Sequence, residues 1–337
     1  MRAVVYRSAG GPEVLQLVDR ELPEPGAGEV RVRVAVSGVN PTDWKSRQGG
    51  RGPLPFPELV PNQDGAGTID AVGPGVDADR VGQRVWLWEA AWQRADGTAQ
   101  EYVALPAAQA VALPDGASFD LGASLGIPAL TAHRCLTCHD AVDGLRPGSM
   151  SGLTVLVAGG AGAVGNAAIQ LARWAGADVV TTVSSPEKAD LARAAGAHTV
   201  VNYRTENVVE RVAQAALEGV DIVVEVAPVA NAALNHTVIG RHGLVAVYAT
   251  ESTPELALPV WTMMARNIRY QFVLVYTVTA AAKARAVADV SAAVADGALR
   301  VGPENGLPLH RYPLAETAAA HAAVEAGAVG KVLIDVA

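Results

Sequence analysis

Cysteine is scarce in this chain: among 337 residues, only Cys135 and Cys138 carry thiols. Two cysteines are too few for the disulfide framework of a small secreted domain. The chain also lacks a run of about 18 uncharged apolar residues, the length that a membrane-spanning helix requires. Its first residues lack the apolar segment of a secretory signal. The expectation is a cytoplasmic protein that does not enter a membrane.

Basic residues are also few and scattered. The chain has 26 Lys and Arg against 34 Asp and Glu, a formal net charge of −8. No run of positive charge forms a nucleic-acid patch, so no nucleic-acid partner is expected. A local pocket for a single phosphate remains compatible with this charge.

The first 120 residues have the pattern of short strands separated by turns. Residues 29–36 alternate polar and apolar side chains with the two-residue period of a half-buried strand. Turns such as Gly10-Gly11-Pro12 separate the segments. The other strand candidates are residues 3–7, 67–72, 84–88 and 100–105. This region is predicted to form a compact, mainly β domain.

After residue 120, strands alternate with helices. A helix is favoured at 121–141, and the apolar run at 153–158 is typical of a parallel strand buried on both faces. The units that follow are strand 178–183 with helix 186–194, strand 199–202 with helix 206–216, strands 222–226 and 244–247, helices 280–296 and 315–326, and an apolar end at 332–334. The alternation predicts an α/β fold with a doubly wound parallel sheet.

A glycine-rich turn follows the first buried strand: Gly159-Gly160-Ala161-Gly162-Ala163-Val164-Gly165. Its position between a strand and a helix is the context that a dinucleotide-binding motif requires. In that motif Gly160 permits the tight turn, Gly162 lets the pyrophosphate approach the backbone, and Gly165 allows close packing. The alternative is a glycine-rich turn that binds no ligand.

The end of the next strand indicates which cofactor is used. An NAD site places a carboxylate there for the ribose 2′-hydroxyl, whereas this chain has Ser184, Ser185 and, shortly after them, Lys188. Two hydroxyls and an ammonium suit the 2′-phosphate of NADPH, and Tyr203-Arg204 can complete the pocket. Alternatively, the serines only cap the next helix and Lys188 lies on its solvated face.

With these features the whole chain resembles a zinc-independent member of the medium-chain dehydrogenase/reductase superfamily, of the quinone oxidoreductase (ζ-crystallin-like) group. The segments that carry the resemblance extend from end to end. They are Gly10-Gly11-Pro12-Glu13-Val14-Leu15, Pro25-Gly26-Ala27-Gly28-Glu29-Val30, Gly38-Val39-Asn40-Pro41-Thr42-Asp43, Asp64-Gly65-Ala66-Gly67, Gly97-Thr98-Ala99-Gln100-Glu101-Tyr102, the glycine turn, Asn202-Tyr203-Arg204 and Gly330-Lys331-Val332-Leu333.

The resemblance implies a GroES-like substrate domain at residues 1–123 and 275–337, a Rossmann domain at 124–274, and a cleft between them. It also implies a homodimer that pairs through the edge of the Rossmann sheet near residues 268–275. The cofactor contacts it implies are Asn40, Thr131, Gly160, Gly162, Ala163, Val164, Gly165, Ser184, Ser185, Lys188, Tyr203, Tyr248 and Lys331.

The resemblance also indicates a site without metal. In zinc-dependent relatives the three ligands fall where this chain has Asn40, Gln63 and a position near Ile127. Catalytic zinc needs about three Cys, His or carboxylate ligands, so no metal is expected. Cys135 and Cys138 share a helix face, near His133 and His139, and are predicted to be packing thiols rather than a metal or redox pair.

Without a Lewis acid, hydride transfer to an acceptor that is already electrophilic is favoured over alcohol oxidation. Asn40 is predicted to orient the nicotinamide ribose or the acceptor oxygen. Lys45 is a candidate to polarise a carbonyl, with an exposed surface lysine as the alternative. Trp44, Trp88 and Trp92 are candidates for a flat wall beside the acceptor, or for ordinary packing.

Three functions remain open on the sequence. The first is an NADPH-dependent quinone reductase. The second is an NADPH-dependent reductase of 2-alkenals, enones or enoyl thioesters, which needs the same hydride geometry in a different pocket. The third is an NADPH-binding sensor or RNA-binding crystallin-like protein with little turnover.

Overall fold

The computed structural model describes residues 1–50, 52–250 and 255–336. The strands are β1 (Arg2–Val5), β2 (Gln16–Asp19), β3 (Glu29–Val39), β4 (Asp64–Val72), β5 (Arg84–Leu87), β6 (Tyr102–Pro106), β7 (Ala110–Ala112), β8 (Thr154–Ala158), β9 (Asp178–Val183), β10 (Thr199–Asn202), β11 (Val220–Glu225), β12 (Ile239–Val247), β13 (Arg269–Phe272), β14 (Leu309–Pro313) and β15 (Lys331–Asp335). The helices are α1 (Pro41–Arg47), α2 (Phe119–Gly122), α3 (Gly126–Leu136), α4 (Ala163–Trp174), α5 (Pro186–Ala194), α6 (Val208–Ala215), α7 (Ala232–Val238), α8 (Val260–Arg266), α9 (Ala280–Ala295) and α10 (Thr317–Glu325).

The chain divides into two compact units. The first holds residues 1–127 and the C-terminal segment from Leu309 onward, and the second holds Pro128–Pro308. Within the described residues, no helix has the length and apolar character that crossing a bilayer requires.

The first unit is built on a sheet in the order β14-β15-β3-β4-β5-β7, with β6 also paired to β3. Val30, Val32 and Val34 of β3 are fully buried, which confirms the two-residue period that predicted this strand. Strand β15 runs antiparallel to β3 and pairs Val332 with Val39. The C-terminal strand therefore brings Lys331 next to Asn40, which follows β3.

The second unit has a parallel sheet in the order β10-β9-β8-β11-β12-β13. Strand β8 is buried on both faces, because Val155, Leu156 and Val157 are at most 1% exposed. From β8 the chain winds outward to β10, and from β11 it winds the other way to β13. The point where the order reverses, between β8 and β11, is where open α/β sheets bind ligands.

The predicted domain boundary at 274/275 needs correction. Asp289 of α9 is hydrogen-bonded to His133 Nε2 at 2.8 Å, and Gln170 Nε2 donates to the Arg300 carbonyl at 3.1 Å. These contacts belong to the second unit, so residues 275–308 pack there, and the chain returns to the first unit only at Leu309. A helical pattern alone does not reveal which sheet a helix covers. The sequence therefore predicted the return to the first domain at residue 275 instead of at Leu309.

Candidate active site

The glycine turn joins β8 to α4. Gly159 has a φ of +71°, a left-handed conformation that favours glycine. A Cβ on Gly160 would lie 2.2 Å from Thr181 Oγ1, and a Cβ on Gly165 would lie 2.4 Å from the Gly159 carbonyl oxygen. The tight turn therefore depends on Gly159 rather than on Gly160, which instead makes room for β9. Gly165 allows the close packing that the motif predicts.

The middle glycine, Gly162, faces open space. A Cβ there would meet only the Gly159 carbonyl oxygen, at 3.5 Å. Gly162 precedes α4 and no side chain caps this helix, so the N–H groups of Ala163 and Val164 lack intrahelical acceptors. An uncapped helix N-terminus behind an open backbone surface suits an anion. The turn fits the pyrophosphate of a dinucleotide.

Ser184, Ser185 and Lys188 meet at the end of β9. Ser185 is the N-cap of α5 and its hydroxyl accepts from the Lys188 backbone N–H at 3.3 Å. The Lys188 side chain is half-buried and its Nζ donates to Ser184 Oγ at 3.1 Å. Ser185 therefore caps α5, as the alternative interpretation predicted for the serines. Lys188, however, turns back to Ser184 instead of extending from the solvated face.

Tyr203 lies beside this pair. Its backbone N–H donates to the carbonyl of Val183, the last residue of β9, at 3.0 Å. The Tyr203 side chain is 53% exposed, and Arg204 is exposed next to it. The structure therefore brings together a hydroxyl, an ammonium and an open aromatic face at the ends of β9 and β10.

Two more expected contacts also lie in the second unit. Thr131 is buried on α3, and Tyr248 follows β12, half-buried, with its N–H bonded to the Glu225 carbonyl at 3.1 Å. Burial raises the pKa of the Tyr248 phenol. Glu225 itself, fully buried at the end of β11, was missed from the sequence, although a carboxylate that ends an apolar strand run is a visible signal.

In the first unit, Asn40, Asp64 and Lys331 form a buried cluster, each at most 2% exposed. Lys331 Nζ donates to Asn40 Oδ1 at 2.7 Å and to Asp64 Oδ2 at 3.2 Å. Asn40 Nδ2 donates to Asp64 Oδ2 at 2.7 Å. Because an ammonium only donates and a carboxylate only accepts hydrogen bonds, this pairing fixes the orientation of the Asn40 amide.

Two glycines make this cluster possible. A Cβ on Gly38 would lie 3.0 Å from Lys331 Cε, and a Cβ on Gly126 would lie 2.2 Å from Asp64 Oδ1. With no side chain at residue 126, the Ile127 N–H donates to Asp64 Oδ1 at 2.8 Å. Burial raises the pKa of the Asp64 carboxyl, and Lys331 with the two N–H donors opposes that rise.

The three residues that the resemblance places at zinc-ligand positions take part in hydrogen bonds within the protein. Asn40 is held as above, Gln63 Oε1 accepts from the Ala91 N–H at 3.1 Å, and Ile127 offers only its backbone. Within the described residues, no three His, Cys, Asp or Glu side chains form a metal-binding group. An amide that is already bonded and an aliphatic side chain do not fit a catalytic zinc.

A cavity of about 280 Å³ opens beside this cluster. Asp43 connects the two, because it lines the cavity and accepts from the Asn40 backbone N–H at 2.7 Å. The apolar lining consists of Pro53, Leu54, Pro55, Leu59, Val60, Pro61, Ala91 and Trp92. The polar lining includes Tyr6, Ser46, Asn62, Gln63, Gln93 and Arg94. A cavity of this size and lining can hold a flat ring that carries oxygen atoms.

Lys45 does not join the Asn40 cluster. Its side chain is exposed, and its Nζ lies 5.6 Å from the centre of the Trp44 ring. Of the three tryptophans considered for a flat wall, only Trp92 lines the cavity. Lys45 is therefore an exposed surface lysine, as the alternative interpretation predicted.

The two cysteines are free thiols near the end of α3. Cys135 is fully buried and Cys138 is partly buried. Burial raises the pKa of both thiols, which disfavours the thiolate needed for metal binding or redox exchange.

Comparisons with known proteins agree with this architecture. The alcohol dehydrogenase GroES-like domain matches residues 26–115, and the zinc-binding dehydrogenase model matches residues 163–292. Quinone oxidoreductase of Homo sapiens is 30% identical over 99% of this chain and 97% of its own length. This chain belongs to the quinone oxidoreductase family of medium-chain dehydrogenases/reductases.

Solved structures extend the match over the whole chain. A structure described as an NAD-dependent alcohol dehydrogenase has a TM-score of 0.87 and 31% identity, covering 100% of both chains. Quinone oxidoreductase of Escherichia coli, complexed with NADPH, has a TM-score of 0.80 and 25% identity, covering 99% of this chain and 100% of its own. The protein is therefore an oxidoreductase that combines a GroES-like unit with a Rossmann unit.

Proposed function

We propose that this oxidoreductase is an NADPH-dependent quinone reductase that transfers hydride to its acceptor without a metal. The observation that carries the proposal is the Asn40–Asp64–Lys331 cluster, in which a closed set of hydrogen bonds holds Asn40, the residue at one of the three expected zinc-ligand positions. Alcohol oxidation normally relies on a Lewis acid to stabilise the alkoxide. A quinone is electrophilic enough to accept hydride without one.

The choice of NADPH rests on the end of β9. The Lys188–Ser184 pair offers a positive charge and a hydroxyl where an NAD site has a carboxylate. The NADPH complex of the Escherichia coli relative supports this choice. A relative is described as NAD-dependent, but Ser184 and Lys188 of this chain suit a 2′-phosphate better than a ribose hydroxyl.

The bound cofactor would supply the hydride, and the protein supplies position and charge. Asn40 Nδ2 carries two protons, of which Asp64 accepts one. We assign the second to the nicotinamide ribose or to the acceptor oxygen. Lys331 is 1% exposed, so we assign it the task of holding the Asn40 amide, while the cavity beside Asp43 takes the ring of the acceptor.

One assay tests this function. NADPH oxidation is followed by absorbance with a panel of quinones and a panel of 2-alkenals, using wild type, Asn40→Ala and Gln48→Ala. Gln48 is an exposed amide just after α1 and serves as the matched control. We expect quinones to be reduced faster, with kcat/KM lowered about tenfold or more in Asn40→Ala and unchanged in Gln48→Ala. Faster alkenal turnover would instead assign the enone reductase, and tight binding without turnover a sensor.

We also propose a homodimer that forms through β13. This strand lies at the edge of the parallel sheet, and Phe272 and Leu274 beside it are 62% and 49% exposed. A free edge with apolar side chains suits pairing with a second copy. Light scattering after size-exclusion chromatography is expected to give twice the chain mass, and Phe272→Glu to give monomers.

A further inference from the structure

Glu225 is a fully buried carboxylate. It ends β11, is 0% exposed, and forms no ion pair within the described part of the chain. Burying an unpaired charge costs free energy unless hydrogen bonds replace the lost water. Neither the glycine turn nor the Asn40 cluster explains why a carboxylate lies here.

Among the described residues, every hydrogen bond that the Glu225 carboxylate accepts comes from an N–H donor. Oε1 accepts from the Ala227 backbone at 2.6 Å and from Asn231 Nδ2 at 3.0 Å. Oε2 accepts from Asn235 Nδ2 at 2.6 Å and from Asn231 Nδ2 at 3.3 Å. Donors on both oxygens suit an ionised carboxylate, whereas a protonated one would need an acceptor.

The neighbouring titratable groups leave this negative charge uncompensated. Burial raises the pKa of the Tyr248 and Tyr270 phenols, that of Tyr270 to about 12, and the nearby Glu225 carboxylate adds to the rise in both. Both phenols are therefore neutral near pH 7, as is the buried thiol of Cys135 near Tyr248.

The strand order places Glu225 on one particular side of the glycine turn. The turn follows β8, and the Ser184–Lys188 pair and Tyr203 follow β9 and β10 on one side of it. A dinucleotide with its adenosine phosphate on that side extends its nicotinamide half across β8 towards β11 and β12. Val226 adjoins this path, because a Cβ on Gly159 would lie 3.5 Å from Val226 Cγ1.

We infer that the Glu225 carboxylate stabilises the positive charge that the nicotinamide ring gains when its hydride leaves. The inference rests on the proposed function, since it requires a nicotinamide cofactor on this sheet. The reduced ring is neutral and the oxidised ring is cationic, so a fixed negative charge favours the oxidised form and makes the bound cofactor a stronger hydride donor. Asn231, Asn235 and the Ala227 N–H hold the carboxylate in place.

Equilibrium binding tests this directly, without any acceptor. The Kd of NADP⁺ and of NADPH are measured by titration calorimetry for wild type, Glu225→Gln, Glu225→Asp and Asp221→Asn. One charge acting over about 12 Å at an effective dielectric constant of about 20 contributes about 1.4 kcal/mol, which changes such a ratio by about tenfold. We expect Kd(NADP⁺)/Kd(NADPH) to rise about tenfold in Glu225→Gln and to stay near wild type in Glu225→Asp.

Asp221→Asn is the matched control, because Asp221 lies on the same strand but near its opposite end, where it accepts from the Thr154 N–H. If Glu225→Gln weakens both forms equally, Glu225 only holds the loop after β11 and the inference is wrong. If Glu225→Gln does not fold, Ala227→Asp serves instead, because it adds a negative charge beside Glu225. We expect Kd(NADP⁺)/Kd(NADPH) to fall in Ala227→Asp, and an unchanged ratio would contradict the inference. Failure of wild type to bind either form refutes the proposed function instead.

Discussion

The clearest test of the cofactor turn compares Ala substitutions at two of its glycines. At Gly162 the new methyl would meet only the Gly159 carbonyl oxygen, at the ordinary contact distance of 3.5 Å, and the backbone, with φ −82° and ψ 163°, suits alanine. The free energy of unfolding should therefore change by less than about 1 kcal/mol. At Gly160 the methyl would lie 2.2 Å from Thr181 Oγ1, and overpacking of this kind costs about 1–3 kcal/mol.

Ligand binding should respond in a different way. The methyl at Gly162 occupies the space through which a phosphate approaches the α4 N-terminus, so we expect the Kd of NADPH to rise at least about tenfold, or about 1.4 kcal/mol. Urea unfolding gives the stability of each variant, and quenching of tryptophan fluorescence gives the Kd. If Gly162→Ala bound NADPH as tightly as wild type, the pyrophosphate would not lie at this turn.

Three further outcomes follow from the buried charges and the β9 site. Lys331→Met leaves Asp64 buried without its cation and should lower the free energy of unfolding by about 3–5 kcal/mol in urea titrations; a loss below about 1 kcal/mol would contradict the ion pair. Lys188→Ala should raise the KM for NADPH about tenfold while leaving the KM for NADH unchanged, and equal effects on both would remove the 2′-phosphate role. Burial lowers the pKa of His321 to about 3 from 6.5, so the folded state binds fewer protons than the unfolded state between these values. The contribution of neutral His321 to stability is fully present above about pH 6.5 and is lost as the pH falls towards 3, by up to about 1.4 kcal/mol per pH unit. The free energy of unfolding, measured from pH 4 to 7, should therefore depend less steeply on pH in His321→Gln than in wild type.

The sequence predicted β8, β9 and β11 of the parallel sheet well because their apolar residues are buried, whereas the partly exposed edge strand β13 was not predicted. Strands β9 and β10 and helix α5 begin and end where the apolar pattern placed them. Buried strands of this kind appear as uninterrupted apolar runs, and Ser185 with Pro186 marks the helix start by ordinary capping chemistry. By contrast, β14 has the sequence Leu-His-Arg-Tyr-Pro, which lacks an apolar period, and no strand was predicted there.

The site was harder to predict where it depends on pairing across the sheet. Lys331 was expected to contact the cofactor, but nothing local in the sequence shows that it lies beside Asn40 and Asp64. Their contact arises because β15 pairs with β3, and strand pairing between distant segments is not encoded in any short motif. The sequence also did not identify Gly159 as the left-handed residue of the turn, because the motif gives the spacing of the glycines but not their torsion angles.

The central claim is a quinone reductase that uses NADPH and no metal. The most direct measurement follows NADPH and NADH oxidation with one quinone, on protein whose zinc content is determined in the same sample. We predict that NADPH is used with the higher kcat/KM, that zinc is far below one equivalent, and that added chelator leaves the rate unchanged. Stoichiometric zinc with loss of activity on chelation, or a strong preference for NADH, would contradict it.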